Sequence, residues 1–140
     1  MISKKIKFLV CFILFVFILN TGNTKENKIL FKIDDKIITS LDILDEIKYL
    51  RIVNKEILDN VEGNQIYEVA KKSLLREKIK EIELLKHFQE IKIKEEYLKP
   101  ILLNYFKKYN INSELQFEEY FFKYGLEPKN IKKKLTIEIL

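Results

Sequence analysis

Gln65-Ile66-Tyr67-Glu68-Val69-Ala70-Lys71-Lys72-Ser73-Leu74-Leu75-Arg76-Glu77-Lys78-Ile79-Lys80-Glu81-Ile82-Glu83-Leu84-Leu85-Lys86-His87-Phe88 is the stretch that decides the fold. Its apolar residues at 66, 69, 70, 74, 75, 79, 82, 85 and 88 recur in steps of three, four and one. That spacing predicts a helix with one continuous apolar face. No Gly or Pro interrupts the run, so about 24 residues at 1.5 Å each make a rod of roughly 36 Å. Glu68 lies four residues before Lys72, a pair worth only a few tenths of a kcal/mol. The rod therefore needs neighbours over its apolar side, and the flanking segments are read as those neighbours.

The chain has 140 residues, enough for one domain with a modest core. It is 34% charged and holds only three Gly and two Pro, which favours a helical globular domain over a sandwich or a disordered tail. The formal charge is +5, and setting aside Lys4, Lys5 and Lys7 lowers it to about +2. Lysines greatly outnumber the two arginines, Arg51 and Arg76. A protein that reads nucleic acid uses arginine for bidentate phosphate and base contacts, so no nucleic-acid partner is expected.

Met1 to Lys7 is basic, and Phe8 to Leu19 is apolar without a break. As a helix that apolar run reaches only about 18 Å, short of a bilayer core of about 30 Å. With the polar sequel Asn20-Thr21-Gly22-Asn23-Thr24, residues 1–24 read as a secretory signal peptide. The expectation is export to a bacterial periplasm, with no stable membrane insertion after cleavage. Cys11 falls in the apolar run, so residues 25–140 contain no cysteine and form no disulfide.

Outward from the long stretch, Ile29 to Ile33 and Lys36 to Thr39 are β-branched runs around Asp34-Asp35, the pattern of a small hairpin. Thr39 or Ser40 offers an N-cap, with Asp42 near the positive end of the helix that follows. Asn60 to Asn64, with Gly63, breaks that helix from the long one. Lys94 to Tyr109 resumes helical spacing, with Tyr97, Leu98, Ile101, Leu102, Tyr105 and Phe106 inward or half-inward. Pro100 is expected to kink this helix or mark its true start. Ser113 caps the next helix, Gly125 ends it, and Pro128 opens a last one through Ile131, Leu135 and Ile139. No stop signal precedes Leu140, so the domain reads as shortened at its C-terminus.

This order of parts resembles the N-terminal domain of SurA-type periplasmic chaperones, a family that usually carries parvulin peptidyl-prolyl isomerase modules. The resemblance covers Ile29 to Leu140. It is carried by Ile33-Asp34-Asp35-Lys36-Ile37-Ile38-Thr39-Ser40-Leu41-Asp42-Ile43, by Ala70 to His87, and by Leu115-Gln116-Phe117-Glu118-Glu119-Tyr120 with Tyr124-Gly125-Leu126. It implies a mainly α, multi-helix domain with a small N-terminal β-hairpin. It also implies an ATP-independent chaperone that binds unfolded or nascent outer-membrane proteins in the periplasm. No parvulin module corresponds to any part of the chain, so no catalytic residue is carried over. Two other readings stay open: the leading part of a peptidyl-prolyl isomerase, and a self-associating structural protein.

The residues themselves show no catalytic constellation. His87 is the single histidine and sits at a helix end, so neither a metal centre nor any other cofactor is expected. Asp34 and Asp35 are explained by the turn, and Glu95-Glu96 and Glu118-Glu119 point about 100° apart on a helix. The remaining signal is aromatic surplus on two consecutive helices. Tyr120, Phe121, Phe122 and Tyr124 surround most of a helix, so not all can be buried. The candidate client-binding residues are Tyr105, Tyr109, Phe117, Tyr120, Phe121, Phe122 and Tyr124, set in an aromatic groove.

Overall fold

The hairpin forms where the β-branched runs place it. The computed structural model describes residues 26–58 and 60–140, and its first elements are strands β1 (Ile29–Ile33) and β2 (Lys36–Thr39). They pair antiparallel, with Ile33 opposite Lys36 and a bulge between Ile29 and Phe31. Asp34 takes the left-handed conformation at φ 51°, which a short polar side chain tolerates better than a branched one. The signal-peptide reading of residues 1–24 lies outside the described residues.

Among the described residues six helices follow, so the fold is mainly helical with one small two-stranded hairpin, as expected. Helix α1 (Ser40–Val53) opens on a capping box. The Thr39 Oγ1 accepts from the Asp42 N–H, and the Asp42 carboxylate accepts from the Thr39 N–H at 2.7 Å. A short helix α2 (Lys55–Leu58) leads to the long helix α3 (Gly63–His87). Helix α4 (Glu95–Phe106) carries Pro100 inside it, not at its start, and passes into a 3₁₀ turn at Lys107–Tyr109. Helix α5 (Glu114–Lys123) is capped by Ser113. It ends in a Schellman pattern, with Leu126 N–H on Phe121 O, Gly125 N–H on Phe122 O, and Gly125 at φ +67°. Helix α6 (Pro128–Ile139) starts on its proline.

Two apolar clusters result. The hairpin, α1 and the first half of α3 enclose Ile38, Ile43, Ala70 and Leu74. The end of α1 with α4, α5 and α6 encloses Ile52, Leu102, Phe106, Phe117, Phe121 and Leu135. Leu50 packs against both, so α1 is the shared wall.

Helix α3 departs from the continuous apolar face expected of it. Ile66, Ala70 and Leu74 are buried, but the next buried residue along that stripe is Glu81. Ile79 is 53% exposed, and Val69 and Leu85 also face solvent. The reason is the partner helix. Helix α6 lies against α3 and presents lysines there. Lys134 Nζ donates to Glu46 Oε2 at 2.8 Å and to Glu77 Oε2 at 2.6 Å, and it lies 5.2 Å from the Tyr49 ring centre. Lys133 Nζ reaches Glu81 at 2.7 Å, where Lys78 joins from the same helix at 3.3 Å.

Burial alone would lower the Lys134 ammonium, but the Glu46 and Glu77 carboxylates hold it above the ordinary lysine value. Removing one partner of a buried ion pair strands the other charge. Lys134→Ala is expected to cost about 3–5 kcal/mol in urea unfolding. Burial alone would likewise raise the Glu81 carboxyl, yet the hydrogen bonds and charges of Lys133 and Lys78 keep it below the usual carboxylate range. A lowered folded value means stabilisation that is complete above the unfolded value and lost as pH falls through the folded one. The urea midpoint should therefore drop on acidification below about pH 4.5, and Glu81→Gln should flatten part of that drop.

Candidate functional site

Helix α4 meets the core along one narrow edge, Leu98, Leu102 and Phe106. Residues one position earlier on the helix lie about 100° around from that edge. Tyr97, Ile101 and Tyr105 accordingly form an exposed row at four-residue steps, with Tyr97 59% exposed. Helix α5 repeats the arrangement. Phe117 and Phe121 face inward, while Leu115 and Phe122 lie outward at 65% and 56% exposure.

The seven aromatic candidates divide between core and surface. Phe117 and Phe121 are closed off completely. Their rings lie 4.9 Å apart and 5.4 and 5.2 Å from Phe106, a packed triangle that no external chain can touch. Their place at the surface is thus corrected: an inward-facing pair at i and i+4 is claimed by the cluster around Phe106. Tyr109 and Tyr120 are half-buried, with ring centres 6.2 Å apart, and Tyr124 continues the ladder 5.2 Å from Tyr120. The Tyr109 hydroxyl donates to Val53 O at 2.7 Å, satisfying a carbonyl at the end of α1. Burial, with the Tyr124 hydroxyl beside it, pushes Tyr120 up to about 12. Only Tyr105, Phe122 and Tyr124 of the seven are exposed, and Tyr105 and Phe122 belong to different rows.

The surface residues that sequence reading missed are Tyr97, Ile101 and Leu115. The sequence places the first two inward or half-inward, because apolar spacing alone does not say which of two adjacent rows meets the core. Pro100 and Lys99 between them, both exposed, were the available signal.

Two concavities flank the Lys134–Glu77 pair, which lines both. The smaller, about 200 Å³, is acidic, with Asp42, Asp45, Glu46 and Glu127 against Lys78 and Lys133. Glu46 is 4% exposed, and its Oε1 has no hydrogen-bond partner among the described residues. The larger, about 520 Å³, carries Arg76, Lys80 and Lys108 over Leu50, Val53 and Tyr105. Deep in both walls stands Tyr49, whose hydroxyl is pushed above the ordinary tyrosine value by burial and by the neighbouring Tyr105 hydroxyl. Neither concavity is the aromatic groove expected from the sequence.

Among the described residues, no group of three His, Cys, Asp or Glu side chains is arranged to hold a metal ion. No described helix is long and apolar enough to cross a membrane.

The division of the aromatic residues predicts opposite results at adjacent positions. Phe121→Ala should lower unfolding free energy by about 3–5 kcal/mol. Phe122→Ala should change it by no more than about 0.5 kcal/mol. Urea unfolding followed by circular dichroism measures both.

No protein-family model, curated protein or solved structure matches this chain.

Proposed function

We propose that the chain is an ATP-independent chaperone domain that holds unfolded segments of other proteins on the outward rows of α4 and α5. The observation that carries this reading is the exposure of Tyr97, Ile101, Tyr105, Leu115 and Phe122 beside a closed aromatic core. Large apolar side chains left outside a well-packed core are a partner surface when they gather. Rows of separate side chains, without a deep pocket, suit extended clients of varied sequence. Aromatic rings give much contact area with few rotatable bonds. The resemblance to SurA-type chaperones adds the client class, unfolded outer-membrane proteins in the periplasm.

The same exposure supports a second reading, self-association through these rows. A monomeric mass at micromolar concentration would count against it.

The test is suppression of aggregation of an unfolded outer-membrane β-barrel protein, without ATP. Tyr97→Ser/Phe122→Ser should keep the helical circular dichroism of the parent and lose protection several-fold. A parent that protects nothing, or a folded double variant that protects fully, rejects the client surface.

A further inference from the structure

Helix α6 ends against α3, where Lys80 Nζ donates to Glu138 O at 2.9 Å. Beside that contact, α1, α3 and α6 line the larger concavity together with Tyr105 and Lys108. Its volume of about 520 Å³ lies within the range of about 300–1,000 Å³ usual for small-molecule clefts.

Its charge is lopsided. Lys134 and Glu77, both in its wall, are paired, with Glu46 sharing the same ammonium from outside the cleft. That leaves Arg76, Lys80 and Lys108 facing the single carboxylate of Glu138. Two of these cations are held by neutral main-chain acceptors, Lys80 on Glu138 O and Lys108 on Val53 O at 3.4 Å. Arg76 has no ion pair or side-chain hydrogen bond among the described residues. The chain's other surface lysines commonly lie beside a carboxylate: Lys48 on Asp45, Lys86 on Glu83, Lys132 on Glu114. The rest of the lining is mixed: Leu50 and Tyr105 offer apolar surface, Val53 and Ile137 are nearly closed off, and Asn54 and Ser73 are polar.

We propose that this cleft binds a small single-chain anionic amphiphile, its carboxylate or phosphate head on Arg76, Lys80 and Lys108 and its tail along Leu50 and Tyr105. A guanidinium presents a planar fork of donors matched to either head group, and the two lysines add point charges without a fixed geometry. Those two side chains supply the part of the affinity that an inorganic anion cannot reach. The site shares only Tyr105 with the client surface and does not rest on the chaperone reading.

Isothermal titration of the full chain in detergent-free buffer tests this, with decanoate and decyl phosphate as probes. Inorganic phosphate and uncharged octyl glucoside serve as controls for head and tail alone. The expected result is one-to-one binding of at least one charged probe, weakened by salt and far tighter than either control. Arg76→Gln/Lys108→Gln should weaken it about tenfold or more, the scale of one charge-assisted hydrogen bond. Ser73→Phe fills the cleft without removing a charge and should abolish binding with the circular dichroism unchanged. A preference between the two probes assigns the head group. Equal binding of octyl glucoside or of inorganic phosphate overturns the proposal, as does full affinity in a folded Ser73→Phe variant or no binding of either probe. Aggregation suppression should be unchanged in Arg76→Gln/Lys108→Gln, which keeps this site distinct from the client rows.

Discussion

Lys134 is the point at which the two halves of the structure are joined. Its ammonium sits between Glu46 of α1 and Glu77 of α3, over the ring of Tyr49. A charge at that depth is costly to desolvate, and the pair of carboxylates offsets the cost only when the geometry is good. That requirement fixes how α6 lies. Sliding α6 by one turn would bring Asn130 or Glu138 to the same place. The first carries no charge, and the second would set a third carboxylate against two. A purely apolar seam of Leu and Ile would tolerate such a slip far better. The ion layer therefore sets the register, and the apolar clusters on either side supply the bulk of the burial.

The local elements were legible in the sequence because their signals are local. The Asp34-Asp35 turn, the Thr39 cap with Asp42, the Ser113 cap, Gly125 at the end of α5 and Pro128 at the start of α6 each act over a few residues. The mainly helical class followed from the periodicity. What periodicity withheld was the partner of each face. The second half of α3 reads as apolar on one side, yet the side that is covered holds Glu77, Lys78 and Glu81. Recognising that needs Lys133 and Lys134, more than fifty positions away in sequence. For Pro100 the sequence likewise predicts a kink or a start. It stands within α4 on the exposed side, where its missing N–H is least costly.

The aromatic residues show the same limit at closer range. Phe121 and Phe122 are neighbours of one type in one helix, and composition treats them alike. The three-dimensional arrangement does not: the core formed with Phe106 takes the first and leaves the second outside. The number of exposed rings was legible, since no helix can bury its whole circumference. Their identity was not, because a small shift in how α4 and α5 meet would exchange one row for the next.

The pair of Glu77 and Lys134 also organises the surface around it. It forms a partition with the acidic pocket on one side and the basic cleft on the other. With Glu46 on the same ammonium, the unit sets two carboxylates against one lysine, and Glu46 and Glu77 both line the acidic pocket. On the cleft side Arg76, Lys80, Lys108 and Lys134 outnumber Glu77 and Glu138, so the cleft keeps a net positive field. A buried pair that holds two clusters in register thus also separates two surfaces of opposite sign. The sequence shows the charges, but only the packing of α6 on α3 sorts them by side.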